Sequence, residues 1–336
     1  MQGDDPTSSA SSVMNVVRQS GPALLQRVQQ GLSKFQLVYA PHPSWPLPST
    51  QAGSQNAVRK PLRISILDSS FNPPTLAHLA LANSRRSEAL ATGESIVGEE
   101  SLTYDAKLLL LSVKNADKTL KPGDATYQQR LEMMGLLTQD VQPDGNPNIT
   151  TTLAHDPFTT APERANVAIA VIDEPTFVGK ANAFLDFLKS RLHSLTPSVH
   201  INVPQDVEST FIVGLDTLER LFAPRYYASE AAMLASLRKF FSPGPEGDNA
   251  RVVCAHRVLE TSTSSEPQAL SLAQEFIDAG RIATIELSDD VKTYSSTAVR
   301  NARSGPGMEH DALWRKWVTR DVAQYITEHG LYQESV

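Results

Sequence analysis

From residue 63 onward the sequence repeats one texture: a short β-branched apolar run, a turn, then a stretch whose apolar positions recur at three and four. That alternation is the pattern of βαβ units, in which each strand is buried on both faces and the next strand must return parallel to it. Strands are expected over 63–67, 108–113, 166–172, 210–213, 251–255 and 282–287. Helices are expected between most of them, over 77–90, 127–137, 182–192, 230–240 and 267–279, with a last long helix over 311–328 that stops at Gly330. The fold class is α/β: a Rossmann-like doubly wound parallel sheet with helices on both faces. Polar stretches rich in Gly, Pro or Ser over 91–105, 140–165 and 241–249 read as surface loops.

The first 60 residues lack this texture and read as a partly disordered N-terminal extension. It holds one helix, from Ala23 to Phe35, and a linker that Pro41, Pro43, Pro46 and Pro48 keep extended. Residues 61–336 then form the folded domain, C-terminal helix included. The longest apolar runs, such as 107–113, are strand-sized and fall far short of the ~20 residues a membrane helix needs, so no membrane span is expected. A formal net charge of -7 argues against broad nucleic-acid binding and leaves small polyanions as the expected partners. The single cysteine, Cys254, cannot form an internal disulfide, which points to the cytosol or nucleus. Cys254 and the pair Trp314 and Trp317 are most simply core residues.

Two stretches carry chemistry. Ser69-Ser70-Phe71-Asn72-Pro73-Pro74-Thr75-Leu76-Ala77-His78 lies where the first strand of the alternation ends and a helix begins, the crevice position at which open α/β sheets bind nucleotides. Small Ser69 and Ser70 let phosphates approach the backbone, the proline pair can start the helix, and the helix N-terminus offers N–H donors to anions. Taken by itself, Asn-Pro-Pro can also be read as a plain turn and His78 as a partly buried helix residue. The second stretch, Ser295-Ser296-Thr297-Ala298-Val299-Arg300, follows the last strand; Ser295 or Ser296 can cap a helix there, and Arg300 adds a fork of donors one turn on. Two such anion cradles at the first and last strands of one unit point to a shared ligand.

On these residues the sequence resembles the nucleotidylyltransferase superfamily, and within it the eukaryotic nicotinamide mononucleotide adenylyltransferases, near a divergent fungal subgroup. Phe71, Asn72, Pro73, Thr75 and His78 match the first motif, glycine-x-Phe-Asn/Asp-Pro followed by His/Thr-x-x-His, and Ser295, Ser296, Thr297 and Arg300 match the second in full. Similarity extends to Gly214-Leu215-Asp216, to Arg257, and to 321–332. Three positions depart: Ser69 and Ala77 stand where the family has glycines, and Phe177 stands near the place of a tryptophan that stacks on nicotinamide.

The resemblance implies ATP and nicotinamide mononucleotide as substrates, NAD and pyrophosphate as products, and Mg²⁺ carried on the ATP phosphates without a protein metal cage. It assigns His78, with Ser70 and Phe71 beside it, to the α-phosphate, and Thr297 and Arg300 to the β and γ phosphates. Ser69, Thr75, Ser295 and Ser296 complete the cradle. Lys118 or Lys121, in the loop after the second strand together with Lys114, would reach over the phosphates; Gly214 would let a nucleotide pass close, and Asp216 would take a ribose hydroxyl. The departures keep a second reading open: a module of the same fold that binds or hydrolyses ATP in protein quality control or signalling. Transfer to a phosphopantetheine or cytidylyl substrate fits less well, since those relatives keep the first histidine where this chain has Thr75.

Overall fold

A computed structural model describes residues 6–48, 61–91, 99–113, 123–143, 164–197, 201–256, 266–305 and 308–333. In chain order these form α1 (Pro6–Gln29), β1 (Phe35–Tyr39), β2 (Leu62–Ser69), α2 (Leu76–Ala82), β3 (Ala106–Ser112), α3 (Tyr127–Leu137), β4 (Val167–Ile172) and α4 (Phe177–Leu195). There follow β5 (Val207–Gly214), α5 (Leu215–Leu221), α6 (Glu230–Phe241), β6 (Ala250–His256), α7 (Glu266–Asp278), β7 (Ile282–Glu286), α8 (Asp289–Lys292), α9 (Ser296–Ser304), α10 (Met308–Arg315) and α11 (Arg320–Glu328).

The strands make one sheet in the order β1-β4-β3-β2-β5-β6-β7. Every neighbouring pair is parallel except β1 with β4. With β1 set aside, the six parallel strands run 3-2-1-4-5-6 by rank, the doubly wound order of dinucleotide-binding sheets, and the winding reverses between β2 and β5. Ligand crevices in such sheets open at the carboxyl ends of the strands flanking that reversal, here Ser69 and Gly214.

Period-two alternation sends each strand's residues to two cores. Ile64, Ile66, Leu108 and Leu110 pack with Phe184, Leu188, Leu237, Phe240 and Phe276 of α4, α6 and α7. Leu67, Leu109, Leu111 and Ile212 pack with Leu81, Leu131 and Met134 of α2 and α3, and with Val17 and Val28 of α1. A third cluster joins α9, α10 and α11 to α3 around a fully buried Trp314. None of the helices among the described residues is long and apolar enough to cross a membrane.

Four expectations need correction. The N-terminal helix does not run to Phe35. It ends at Gln29, where Gly31 takes φ +70 and the Leu32 N–H reaches back to the Arg27 carbonyl, a left-handed stop only glycine adopts cheaply. Phe35 instead opens β1, pairing with Ile172 at the rim of the sheet. The proline-rich stretch is pinned as far as Pro46: Trp45 is fully buried, its carbonyl accepts from Arg191 Nε, and the Pro46 carbonyl accepts from Asn166. The helix after the phosphate turn stops at Ala82, not at residue 90, because Arg86 plunges into the interior to meet Glu208. The last long helix is split into α10 and α11, since the Trp317 carbonyl turns away to accept the Leu76 N–H at the start of α2.

Candidate active site

The site grows from the turn that leaves β2. Phe71 is driven to φ +43, a left-handed conformation costly for an aromatic residue, and its fully buried ring packs on His78 at 5.2 Å between centroids. Thr75 is the extended N-cap of α2 and His78 its third residue, so the imidazole folds back on the turn. There Nδ1 accepts the Thr75 N–H at 3.0 Å and Nε2 lies 2.9 Å from Ser69 Oγ. Thr75 Oγ1 is 2.9 Å from the same Nδ1 and 3.2 Å from the Tyr294 carbonyl.

The second stretch arrives at that turn from more than two hundred residues away. Ser295 caps α9 by accepting the Ala298 N–H at 3.1 Å, which selects it over Ser296 as the cap. Ser296 donates to the Pro73 carbonyl at 2.7 Å, and Arg300 Nη1 donates to the Asn72 carbonyl at 2.6 Å. Arg300 Nη2 lies 3.3 Å from the hydroxyl of exposed Thr297. His78, Ser69, Thr75, Ser296, Thr297 and Arg300 therefore share one end of the sheet.

The helix terminus itself is not the open anion cradle expected of it. The N–H of Thr75 is taken by His78 and that of Leu76 by Trp317, and the proline pair precedes the helix without starting it. Two of the N–H groups at that terminus are therefore already engaged. Ser70 faces the neighbouring cation, its carbonyl accepting from Arg130 Nη1 at 3.4 Å.

Sequence reasoning missed the hub of this site. Buried Asn72 accepts from the Tyr332 hydroxyl at 2.9 Å and the Ala125 N–H at 3.2 Å, and donates to Asp124 at 2.8 Å. The Asp124 carboxylate faces Arg300 Nε at 3.7 Å and Arg130 Nη2 at 3.8 Å, so one acid orients two guanidiniums. Burial pulls the Arg130 pKa down from its ordinary value, opposed by Tyr332, Asp124 and Tyr127. The Tyr332 hydroxyl is pushed up, first by burial, against the pull of Arg130 and Arg300. The Asn72 of the motif was the only available signal, since a buried amide must find several partners.

On the β3 and β4 side, Asp68 ion-pairs with Lys180 and accepts from Ser112 at 3.1 Å. Phe177, expected near the nicotinamide, packs edge-on to Phe211, and Lys180 Nζ sits 5.0 Å over its ring, so one ring face is already occupied. Gly214 caps α5 at φ -84, and a Cβ there would meet no atom within 4 Å, so the fold itself does not demand glycine. Asp216 is exposed in the first turn of α5, with Gly214 holding the N-cap position. Lys114, Lys118, Lys121 and Arg257 lie outside the described residues. Among the described residues no three His, Cys, Asp or Glu side chains gather to hold a metal. Cys254 is buried, and burial pushes its thiol up to about 12, with Asp216 and Glu219 adding to the shift, which removes it as a nucleophile.

No family model matches the chain. Over 203 residues it is 29% identical to a Schizosaccharomyces pombe protein described as "Putative nicotinamide mononucleotide adenylyltransferase", an alignment covering 60% of this chain and 57% of that protein. Over that stretch the chain is similar to a protein described as an adenylyltransferase. It spans less than two thirds of the length of this curated relative. Among solved structures, the Plasmodium falciparum nicotinic acid mononucleotide adenylyltransferase superposes with TM-scores of 0.41, complexed with NaAD, and 0.40, complexed with APC. Identity is 12% in both, over 80% of this chain and 97% and 96% of those chains. The Rossmann-like fold rests on the strand order.

Proposed function

We propose that the protein transfers the adenylyl group of ATP to nicotinamide mononucleotide, giving NAD and pyrophosphate. The observation that carries this reading is the junction of the two motif stretches, with Arg300 on the Asn72 carbonyl and Ser296 on the Pro73 carbonyl. One triphosphate lying over the turn would then meet His78 at its α-phosphate and Thr297 and Arg300 beyond. Mg²⁺ would enter as part of the ATP substrate, which suits an ion that keeps most of its water.

The transfer asks little covalent chemistry of the protein. An oxygen of the acceptor's 5′-phosphate attacks the α-phosphorus in line, and the bond to pyrophosphate breaks. The site's work is to align two polyanions and spread the charge that builds on the α-phosphate and the leaving group. Arg300 is pre-oriented by Asp124 and Asn72 for that task. His78 is held on both ring nitrogens, so the ring is already oriented at the turn before substrate arrives. NAD formation from ATP and the mononucleotide tests the reading, with His78→Ala expected to lose about 10²-fold or more in turnover, the scale of removing one transition-state donor. A normal rate in His78→Ala would overturn the assignment.

Lys180 over the Phe177 ring supports a second reading, an ATP-binding or ATP-hydrolysing module without a mononucleotide acceptor. Calorimetry separates the two: ATP binding with no mononucleotide binding favours the module.

A further inference from the structure

Ser69 stands where the superfamily motif has glycine, and its side chain meets the imidazole directly. The direction of that hydrogen bond follows from the other ring nitrogen. A backbone N–H can only donate, so the Thr75 N–H at 3.0 Å from Nδ1 leaves Nδ1 with the lone pair and Nε2 with the proton. The 2.9 Å contact is therefore His78 Nε2–H donating to Ser69 Oγ. Ser69 keeps its own O–H to donate, and among the described residues no protein group accepts it. The side chain is half-buried at the carboxyl end of β2, beside the winding reversal where the crevice opens.

We infer that Ser69 is a further catalytic residue, whose hydroxyl, polarised by His78, hydrogen-bonds an oxygen of the α-phosphate. A hydroxyl that accepts one hydrogen bond donates a stronger one, so the serine extends the reach of the imidazole by one link. The inference rests on the adenylyl-transfer reading. In that step the acceptor oxygen forms a bond to the α-phosphorus, and the bond to pyrophosphate breaks with its electron pair leaving on pyrophosphate. Ser69 transfers no proton; its hydrogen bond tightens as charge accumulates on the phosphate oxygen.

The test uses the full chain and the variants Ser69→Gly, Ser69→Ala and Ser69→Thr, with thermal melts to show that each is folded. Gly and Ala are expected to lose roughly 10- to 100-fold in kcat with little change in KM for the mononucleotide, and Thr, which keeps the hydroxyl, to recover most of the loss. Because the two groups act in series, Ser69→Ala combined with His78→Ala should be scarcely slower than the slower single variant. A Gly or Ala variant as fast as the unmodified protein shows that the hydroxyl competes for Nε2 and overturns the inference, as do losses that multiply in the double variant. Imidazole ¹⁵N spectra of the ligand-free protein, taken above the ordinary histidine pKa of about 6.5, should show His78 protonated at Nε2; protonation at Nδ1 also overturns it. A chain that forms no NAD sinks the proposed function alone. The tautomer, and the ATP affinity of Ser69→Ala against Ser69→Thr, still decide whether Ser69 meets the phosphates.

Discussion

Replacing Glu208 by alanine tests how the fold is fastened at the end opposite the candidate site. Glu208, 1% exposed near the start of β5, holds two cations: Arg86 Nε at 2.7 Å and Nη2 at 3.1 Å, and Arg251 Nη2 at 2.8 Å. The Arg86 side chain is fully enclosed and also donates to the Ser101 and Leu90 carbonyls at 2.9 Å each, while Arg251 donates to Leu90 as well. The triad thus clips the excursion after α2 onto the sheet. Removing the acid leaves two desolvated guanidiniums without the carboxylate they share, a loss of about 3–5 kcal/mol. An unfolding entropy near 2.1 cal/mol/K per residue over 336 residues converts this to a fall in Tm of about 4–7 °C. Scanning calorimetry reads it directly, and turnover at a temperature where the variant is folded should be unchanged. Replacing all three residues by apolar side chains of similar volume should be neutral or stabilising by about 1–4 kcal/mol. A Tm within about 1 °C of the unmodified protein in Glu208→Ala would mean that water reaches the arginines and that the argument from burial is wrong.

Asp124→Ala, which releases Arg300 and Asn72 together, should raise KM for ATP about tenfold, the worth of one charge-assisted contact of ~1.5 kcal/mol, with partial rescue by Asp124→Glu; an unchanged KM would remove Asp124 from the site. Cys254, with its thiol at about 12, should resist alkylation at pH 8 in the folded protein and react only on unfolding; labelling within minutes would contradict the burial. Asp248 is buried, with Oδ2 finding no hydrogen-bond partner among the described residues, and burial raises its carboxyl pKa above 3.8 despite Lys239. Its ionised form therefore costs stability above the raised pKa, and that cost fades as pH falls towards the unfolded value. Asp248→Asn should accordingly raise Tm at neutral pH by an amount that shrinks towards pH 4, and a pH-independent change would refute the assignment.

What the sequence discloses, and what it hides, divides by the range of the interactions. The six parallel strands are legible because a strand buried on both faces must be apolar throughout, as Val167–Ile172 is. His78 and Arg300 are legible because a motif fixes their distance from a cap. The break after Ala82 is not, since it depends on Arg86 finding Glu208 across 122 residues. The hub around Asn72 is hidden for the same reason: its partners Asp124 and Tyr332 lie 52 and 260 residues away. At the N-terminal end, the three-residue spacing of Leu32 and Phe35 suggests a continuing helix, whereas in the structure the left-handed Gly31 ends it. Leu32 is consequently left exposed and Phe35 becomes part of the sheet.

The antiparallel β1 has a practical corollary for trimming the chain. A fragment begun after the proline-rich stretch would keep every motif of the candidate site yet strip the outermost ribbon, uncovering the backbone of β4, whose six residues are all buried. A bare hydrophobic margin of that length invites other copies to stack onto it. Recombinant work on the nucleotide-binding region should therefore start upstream of Phe35, and retain α1, whose Val17 and Val28 roof the neighbouring strands.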